Sequence, residues 1–249
     1  MPTVAAIVLA PHRPERLAAV RGQSRPPDRI VEAGETLRDG LLAGLEAQPE
    51  AGWLWLVGPG TVPGPAALAE LLGALERLGE LPPPVLLASR SLRPDGADHP
   101  LDAPWPRFGD KHLEVEAAER GLVVLRATAC ASVLVDRLAA AAAGPPAPAF
   151  GPWTADLDFT ARLLRSRGVG YLVPASVVEH RDEGAGPEPG RLARDQARML
   201  RGRVWGFQEG GWFAVRSVRE AAGHVRSSRH RPRAAAAVLR GVAEGLVRR

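Results

Sequence analysis

The sequence predicts an α/β domain, a mostly parallel sheet of doubly wound type flanked by helices, followed by a basic helical extension. Three observations predict it. Apolar runs of strand length alternate with helix-spaced apolar stripes from residue 3 to residue 78. The connections between them are short, which calls for parallel pairing and right-handed crossovers. Charge is also segregated: residues 191–249 hold 14 Arg against Asp195, Glu209, Glu220 and Glu244, a net +10, which leaves residues 1–190 at −6 within a total of +4. The domain is therefore expected to span residues 1–190 and the Arg-rich helical extension 191–249.

Thr3 to Leu9 is apolar and of strand length, Pro11-His12-Arg13-Pro14 turns the chain, and a helix follows through Val20. Pro26-Pro27-Asp28 ends that helix and Arg29 to Ala33 restarts as a second strand. Leu37, Leu41, Leu42 and Leu45 recur on one helical face within 37–47, and Trp53 to Val57 is the third strand. Pro65 suits the first turn of the next helix, where a missing N–H does no harm, and Leu68, Leu71, Leu72 and Leu75 point inward. Strands are expected at 85–89, 121–125, 130–135, 171–173 and 176–178, helices at 138–143 and 159–167, and loop at 93–105. Gly184 to Gly190, rich in Gly and Pro, reads as a mobile loop or hinge. In an open sheet of this kind the loops after the strands' carboxyl ends line the ligand crevice, here residues 10–14, 32–36 and 58–63.

At 249 residues and 45% hydrophobic content the chain can bury a full core as one large domain. Lys111 is the only lysine and asparagine is absent, the amino-acid bias of a GC-rich genome of actinobacterial type. The lone Cys130 excludes an internal disulfide and suits a reducing cytosol. No stretch approaches the ~20 consecutive apolar residues of a membrane span, so a cytoplasmic chain, at most peripheral to a membrane, is expected.

Several segments, in order, carry a resemblance: Val4 to Arg13, Arg25-Pro26-Pro27-Asp28-Arg29-Ile30-Val31, Trp53 to Leu68, Leu86 to His99, Phe150 to Arg165 and Tyr171 to His180. Together they resemble the family 2 glycosyltransferases of the GT-A fold, and especially the galactofuranosyl- and rhamnosyltransferase-like branch, which implies a role in cell-wall or polysaccharide biosynthesis. The resemblance implies a nucleotide-sugar donor and a glycan or lipid-linked acceptor. In the family the first loop contributes to the nucleotide-base pocket, and Arg13 is the residue retained here. The acidic residue of the second loop contacts the base, and Glu32 takes that place. The third loop carries an Asp-x-Asp motif that holds a divalent cation against the diphosphate; this chain has Gly58, Pro59 and Gly60 instead. Those glycines form either a bare turn or a cradle of backbone N–H groups for an anion, and Arg13 or Arg90 would then supply part of the cation's charge. Mn2+ or Mg2+ is thus expected to be absent or weakly held, because the carboxylate ligands are missing.

Trp153-Thr154-Ala155-Asp156-Leu157-Asp158-Phe159 aligns with the family's acceptor-side segment. The resemblance makes Asp156 the general base, with Trp153 and Asp158 at the acceptor; a helix cap at Thr154 or Asp156 is the alternative. His180 matches a histidine that often completes the metal site, and is here either a relic ligand or a donor to phosphate. Asp95 and His99 resemble a loop near the donor sugar, although Asp95-Gly96 is first of all turn chemistry.

Arg194, Arg198, Arg201 and Arg203 precede Val204-Trp205-Gly206-Phe207, which is similar to a helix that follows the family's catalytic domain. Beyond it Ala235, Leu239, Val242 and Leu246 recur at helical spacing among arginines. Such a helix suits an anionic membrane surface, or else packs, solvated, on its own domain. No helix-turn-helix, zinc or RNA-binding signature speaks for nucleic acid. A noncatalytic relative that keeps the fold as a binding or partner module is the competing reading of the whole chain.

Overall fold

The computed structural model describes residues 2–181, 188–202 and 207–247. They fall into two compact units: Met1–Pro146 with Phe159–Asp182, and Ala147–Asp158 with Glu183–Arg249. The sequence reading draws its boundary at residue 190, whereas the second unit also takes in residues 147–158.

The first unit opens with β1 (Val4–Leu9), buried along its whole length, and α1 (Pro14–Arg21), whose proline sits at the helix start where no N–H is needed. β2 (Arg29–Ala33) and α2 (Leu37–Ala47) follow, the helix capped by the Thr36 hydroxyl accepting from the Asp39 N–H. Then come β3 (Trp53–Val57), the short β4 (Thr61–Pro63), α3 (Ala67–Glu76) and β5 (Pro84–Leu92). β6 (Trp105–Pro106), α4 (Lys111–Glu119), β7 (Val123–Ala127), β8 (Ser132–Asp136) and α5 (Arg137–Ala143) lead to α6 (Pro152–Arg167) and β9 (Val169–His180). The second unit contains the start of α6 together with α7 (Pro189–Arg201), α8 (Phe207–Ser227) and α9 (Arg231–Leu246).

The strands form one sheet in the order β2-β1-β3-β8-β5-β9-β7-β6, with β4 paired to β9. From the pairings, β1, β2, β3, β5, β6 and β9 point one way and β4, β7 and β8 the other, so the sheet is mostly parallel. Alternate residues of each strand serve two cores. Ile7, Leu54, Leu56, Leu86 and Val133 pack with Leu41 of α2 and Phe159 and Leu163 of α6. Val8, Trp55, Val57, Leu87 and Leu134 pack with Leu68 and Leu71 of α3. Each fully buried Leu, Ile or Val contributes roughly 1.5–3 kcal/mol, which is why the central strands read as unbroken apolar runs rather than alternating ones.

Some elements differ from their sequence expectation for physical reasons. Segments 171–173 and 176–178 are parts of one strand, β9. Opposite them Ser89 pairs with Val173 but Arg90 with Val177, so Pro174, Ala175 and Ser176 bulge out of the ladder where the missing proline N–H leaves no gap. Helix α4 lies in a stretch with a weak apolar stripe, and its signal was the Asp110 carboxylate, which accepts from the Leu113 N–H as an N-cap. Of the expected mobile loop, residues 184–187 lie outside the described residues; Glu188 caps α7 and Pro189 and Gly190 open it. Val204-Trp205-Gly206 also lies outside. On α9 Leu239 is 70% and Leu246 55% exposed, while Gly241 and Gly245 are buried against α7. A Cβ at Gly241 would overlap the Gly190 carbonyl, and one at Gly245 the Arg194 carbonyl, so the two helices approach backbone to backbone.

Candidate functional site

The carboxyl ends of β1, β3, β5 and β9 bring several loops together in the first unit, and buried polar groups fix them. Arg16, 2% exposed on α1, donates through Nη1 to the Gly58 carbonyl at 2.8 Å and through Nη2 to the carbonyls of Leu9, at 2.5 Å, and Pro11. One guanidinium thus ties the loop after β1 to the loop after β3. Gln23 works alongside it, donating to the Gly64 carbonyl and accepting from the Leu68 N–H. Beneath them Trp55 Nε1 donates to Ser132 Oγ, which is bonded to Ser89 Oγ; Ser89 bonds Ser176, whose hydroxyl donates to the Ala67 carbonyl. These side chains order the backbone around residues 58–66.

The Gly58-Pro59-Gly60 segment is a closed turn. The Gly58 N–H donates to the Ala131 carbonyl at 2.8 Å, and the Gly58 carbonyl accepts from the Thr61 N–H and from Arg16. The Gly60 carbonyl accepts from the Arg181 N–H at 3.0 Å, and Gly60 has a φ of 72°, a conformation that favours glycine. A Cβ at Gly58 would stand 2.9 Å from the Cys130 carbonyl oxygen and 3.2 Å from Ala131 Cα. The Gly58 backbone is thus committed within the protein through both its N–H and its carbonyl.

Next to the turn, β4 pairs Thr61 with His180 at the end of β9. His180 Nδ1–H donates to Asp102 Oδ2 at 2.6 Å, the same oxygen accepts from Ser91 Oγ at 2.6 Å, and His99 Nδ1 stands 3.3 Å from it. The His99 and His180 rings stack with centroids 4.2 Å apart and planes inclined by 19°. Asp102 and His99 are buried, and the His180 side chain keeps 11% of its surface exposed. Among the described residues this trio alone gathers three ligand-type atoms, all within 4.8 Å of one another.

Two imidazoles and a carboxylate are donors suited to zinc and its neighbours rather than to Mg2+. The ring geometry does not fit an ion. A ligating imidazole nitrogen binds along its own ring plane at about 2.0–2.1 Å, and two stacked, nearly parallel rings cannot both point at one centre. Nor does the Gly58-to-Gly60 turn supply a carboxylate. The trio as it stands is a hydrogen-bonded Asp–His pair with a second imidazole laid on it.

The other sequence-predicted residues are placed as follows. Arg13 is exposed at the N-cap of α1. Glu32, exposed at the end of β2, has an oxygen 3.7 Å from His12 Nδ1. Arg90, exposed on β5, is hydrogen-bonded to Asp98 at 2.7 Å, which raises the arginine pKa and lowers that of the carboxyl. Its charge is therefore matched within its own loop. Asp95 accepts from the Ala97 N–H and pairs with Arg93, as an Asp-Gly turn does. Trp153, Asp156 and Asp158 belong to the second unit, on the first two turns of α6, with Asp158 buried. Asp156 is the fifth residue of that helix, past the capping position. Thr154 Oγ1 donates to the buried Asp195 Oδ2 at 2.9 Å, and the Gly151 N–H reaches the same oxygen at 2.9 Å, so α7 fixes where α6 begins.

Sequence reading missed Arg16 and Asp102. Arg16 is one of many arginines, and nothing local marks it as buried. For Asp102 a signal existed, the His99-x-x-Asp102 spacing in an otherwise irregular loop.

No protein-family model matches the sequence, and no curated protein does. Among solved structures, one of GalNAc-T7 with UDP, GalNAc and Mn2+ matches with a TM-score of 0.58 at 13% identity, over 85% of this chain and 49% of that one. The chain therefore spans about half the length of that protein. Among the described residues no helix is long and apolar enough to cross a membrane. With its mostly parallel sheet flanked by helices on both faces, the chain has the GT-A fold.

Proposed function

We propose that the chain is a glycosyltransferase of family 2 type that transfers a sugar, with inversion, from a nucleotide sugar to a hydroxyl of a glycan or lipid-linked acceptor. The observation that carries this reading is the GT-A sheet, whose strand ends bring together the loops after β1, β3 and β5 near the end of β9. Arg13 and Glu32 stand on the loops assigned to the nucleotide. In the reaction Asp156 takes the proton of the acceptor hydroxyl, the oxygen forms a bond to the anomeric carbon, and the bond from that carbon to the diphosphate oxygen breaks on the opposite side. The nucleoside diphosphate leaves with the electron pair, and Asp156 holds the proton. Trp153 and Asp158 flank the acceptor.

The alternative is a noncatalytic relative that keeps the fold to bind a glycan or a partner. Ala155, which stands where the family has an acidic partner to Asp156, and the self-satisfied turn at Gly58 to Gly60 favour it. A peripheral membrane role for the extension draws on its arginines and on the exposure of Leu239 and Leu246.

Thermal unfolding with UDP-, GDP- and dTDP-sugars, with and without Mn2+, tests donor binding. Ligand at ~100 times its dissociation constant raises stability by about 2.7 kcal/mol. Stabilisation by one nucleotide sugar is expected, and no shift with any of them at millimolar concentration supports the noncatalytic alternative. With a donor in hand, Asp156→Asn is expected to cut transfer by at least about a hundredfold while leaving donor binding intact; unchanged transfer removes Asp156 as the base.

A further inference from the structure

The second unit holds a cleft of its own. Its volume is about 670 Å3, within the roughly 300–1,000 Å3 that small-molecule sites occupy, and every residue that lines it belongs to that unit. Arg194, Arg198 and Arg201 line it at spacings of four and three residues, which sets them on one face of α7. Phe150 comes from the loop before α6, and Ala243 and Val247 from the last turns of α9 and its C-cap, so the lining beyond the arginines is apolar except for Glu244.

The charges in this cleft do not cancel. Buried Asp195 uses Oδ2 to accept from the Gly151 N–H and the Thr154 hydroxyl, while its Oδ1 stands 3.4 Å from Arg194 Nε and 3.9 Å from Arg198 Nη1. Glu244 stands 3.9 Å from Arg194 Nη1. Arg198 also reaches the Ala149 carbonyl at 3.4 Å. Arg201 donates to the Val247 carbonyl and, among the described residues, pairs with no carboxylate. Two carboxylates thus face three guanidiniums. Each guanidinium carries five N–H donors and keeps its charge without any titration, and these partners use only one or two donors of each. The side chains of Arg194 and Arg198 remain 27% and 29% exposed, and Arg201 is exposed. Arg198 and Arg201 also suit the negative end of α7, an effect of charge alone that does not use the remaining donors.

We propose that the cleft binds a phosphate monoester carrying an apolar chain, with the phosphate on the guanidiniums of Arg194, Arg198 and Arg201 and the chain along Phe150, Ala243 and Val247. A phosphate monoester brings three acceptor oxygens and about 1.5–2 negative charges, and arginine pairs with such a group through two parallel N–H donors. A lone carboxylate offers too few acceptors for three guanidiniums, and a bare inorganic anion would leave the apolar lining unused. The ligand chemistry is shared by a membrane lipid with a phosphate headgroup and by a soluble alkyl phosphate. No bond is made or broken at this site, and its occupancy is independent of the transfer reaction proposed above.

Octyl phosphate and inorganic phosphate are the probes, titrated by calorimetry into the full chain. Octyl phosphate is expected to bind one to one and at least about tenfold tighter than inorganic phosphate, since burying even part of its chain is worth that factor. Removing one guanidinium in Arg201→Gln should weaken it by at least about tenfold. Ala243→Phe fills the cleft without removing a charge and should also weaken it, which keeps the test valid if the arginine variant folds poorly. Arg226→Gln, exposed on α8 and outside the lining, makes the same change of charge and should leave binding as it is. Cosedimentation with phosphatidylcholine vesicles, with and without phosphatidic acid, separates the two sources. Binding to the phosphatidic acid vesicles that disappears in Ala243→Phe identifies a membrane lipid, and octyl phosphate binding without vesicle binding identifies a soluble ligand. The proposal is overturned if octyl phosphate does not bind, if it binds no tighter than inorganic phosphate, or if neither Arg201→Gln nor Ala243→Phe weakens it. Equal weakening in Arg226→Gln and Arg201→Gln overturns it as well, because bulk positive charge then accounts for the binding. None of these outcomes depends on whether a nucleotide sugar binds, so this site and the glycosyltransferase reading fail separately.

Discussion

Replacing Arg16 with methionine tests whether one buried guanidinium holds the candidate site together. The side chain is 2% exposed and donates to the carbonyls of Leu9, Pro11 and Gly58. Methionine fills much of the same space and donates nothing. Pro11 is exposed and its carbonyl can turn to water. The carbonyls of Leu9 and Gly58 lie in buried residues; the loss of its arginine donor costs the Leu9 carbonyl about 1–3 kcal/mol, and the Gly58 carbonyl, which keeps the Thr61 N–H, about 0.5–1.5 kcal/mol. Relief from burying a charge offsets part of this, which leaves a net loss of roughly 1–3 kcal/mol. For a protein of this size a loss of 1 kcal/mol lowers the melting temperature by about 2–4 °C, so a fall of about 2–12 °C is expected by circular dichroism. Arg21→Met, exposed on the same helix, is the control and should stay within about 0.5 kcal/mol of wild type. If Arg16→Met melts within about 2 °C of wild type, the loops are held by something else and the bracing argument fails.

Three further outcomes follow from the same geometry. Asp195→Ala removes the acceptor shared by the Gly151 N–H and the Thr154 hydroxyl, at a cost of about 2–4 kcal/mol; hydrogen exchange should show amides 151–156 losing protection first, and uniform protection in the variant would contradict this. Gly241→Ala places a methyl against the Gly190 carbonyl, and overpacking of that kind costs about 1–3 kcal/mol or more; a melting curve that matches wild type would mean α7 and α9 can separate freely. The Asp28 carboxyl is held below the usual carboxylate range chiefly by the hydrogen bond from the Val4 N–H, against burial, with the Arg25 charge and hydrogen bond assisting. Its folded pKa is lowered, so its contribution is present above about pH 4, its unfolded value, and is lost as pH falls through the folded pKa. Asp28→Asn should therefore lower stability at neutral pH and flatten the acid side of the pH–stability curve; an unchanged acid slope would argue against it.

The sheet's first half was legible because both its faces are buried: runs such as Val4 to Leu9 and Trp53 to Val57 have no polar alternation to confuse with a helix. What stayed hidden lacks a periodic signature. β4 and β6 are too short to show a period, and β9 looked like two strands because Pro174 interrupts the pattern while the bulge it occupies keeps the strand continuous. On α9 the helical spacing of the apolar residues was legible, and Leu239 and Leu246 on that stripe are exposed. Leucines announce a buried face by sequence, but here the tight contact is made by Gly241 and Gly245, which bury almost no side chain and so carry no hydropathy signal. The candidate site shows a similar division. Gly58 and Gly60 lie just before the β4–β9 pairing in which Thr61 stands opposite His180, whereas Arg16 and Asp102 matter through contacts made across long stretches of chain that no local pattern encodes.

The closed turn at Gly58 also bears on how this chain can evolve. Glycine and aspartate codons lie a single base apart, so a carboxylate at position 58 looks like a short mutational path. The first atom of any such side chain would meet the Cys130 carbonyl at 2.9 Å, on a stretch of backbone leading into a central strand. A side chain at position 58 therefore requires residues 130 and 131 to shift with it. Acidic chemistry at this end of the sheet is therefore open to side chains elsewhere more readily than to position 58.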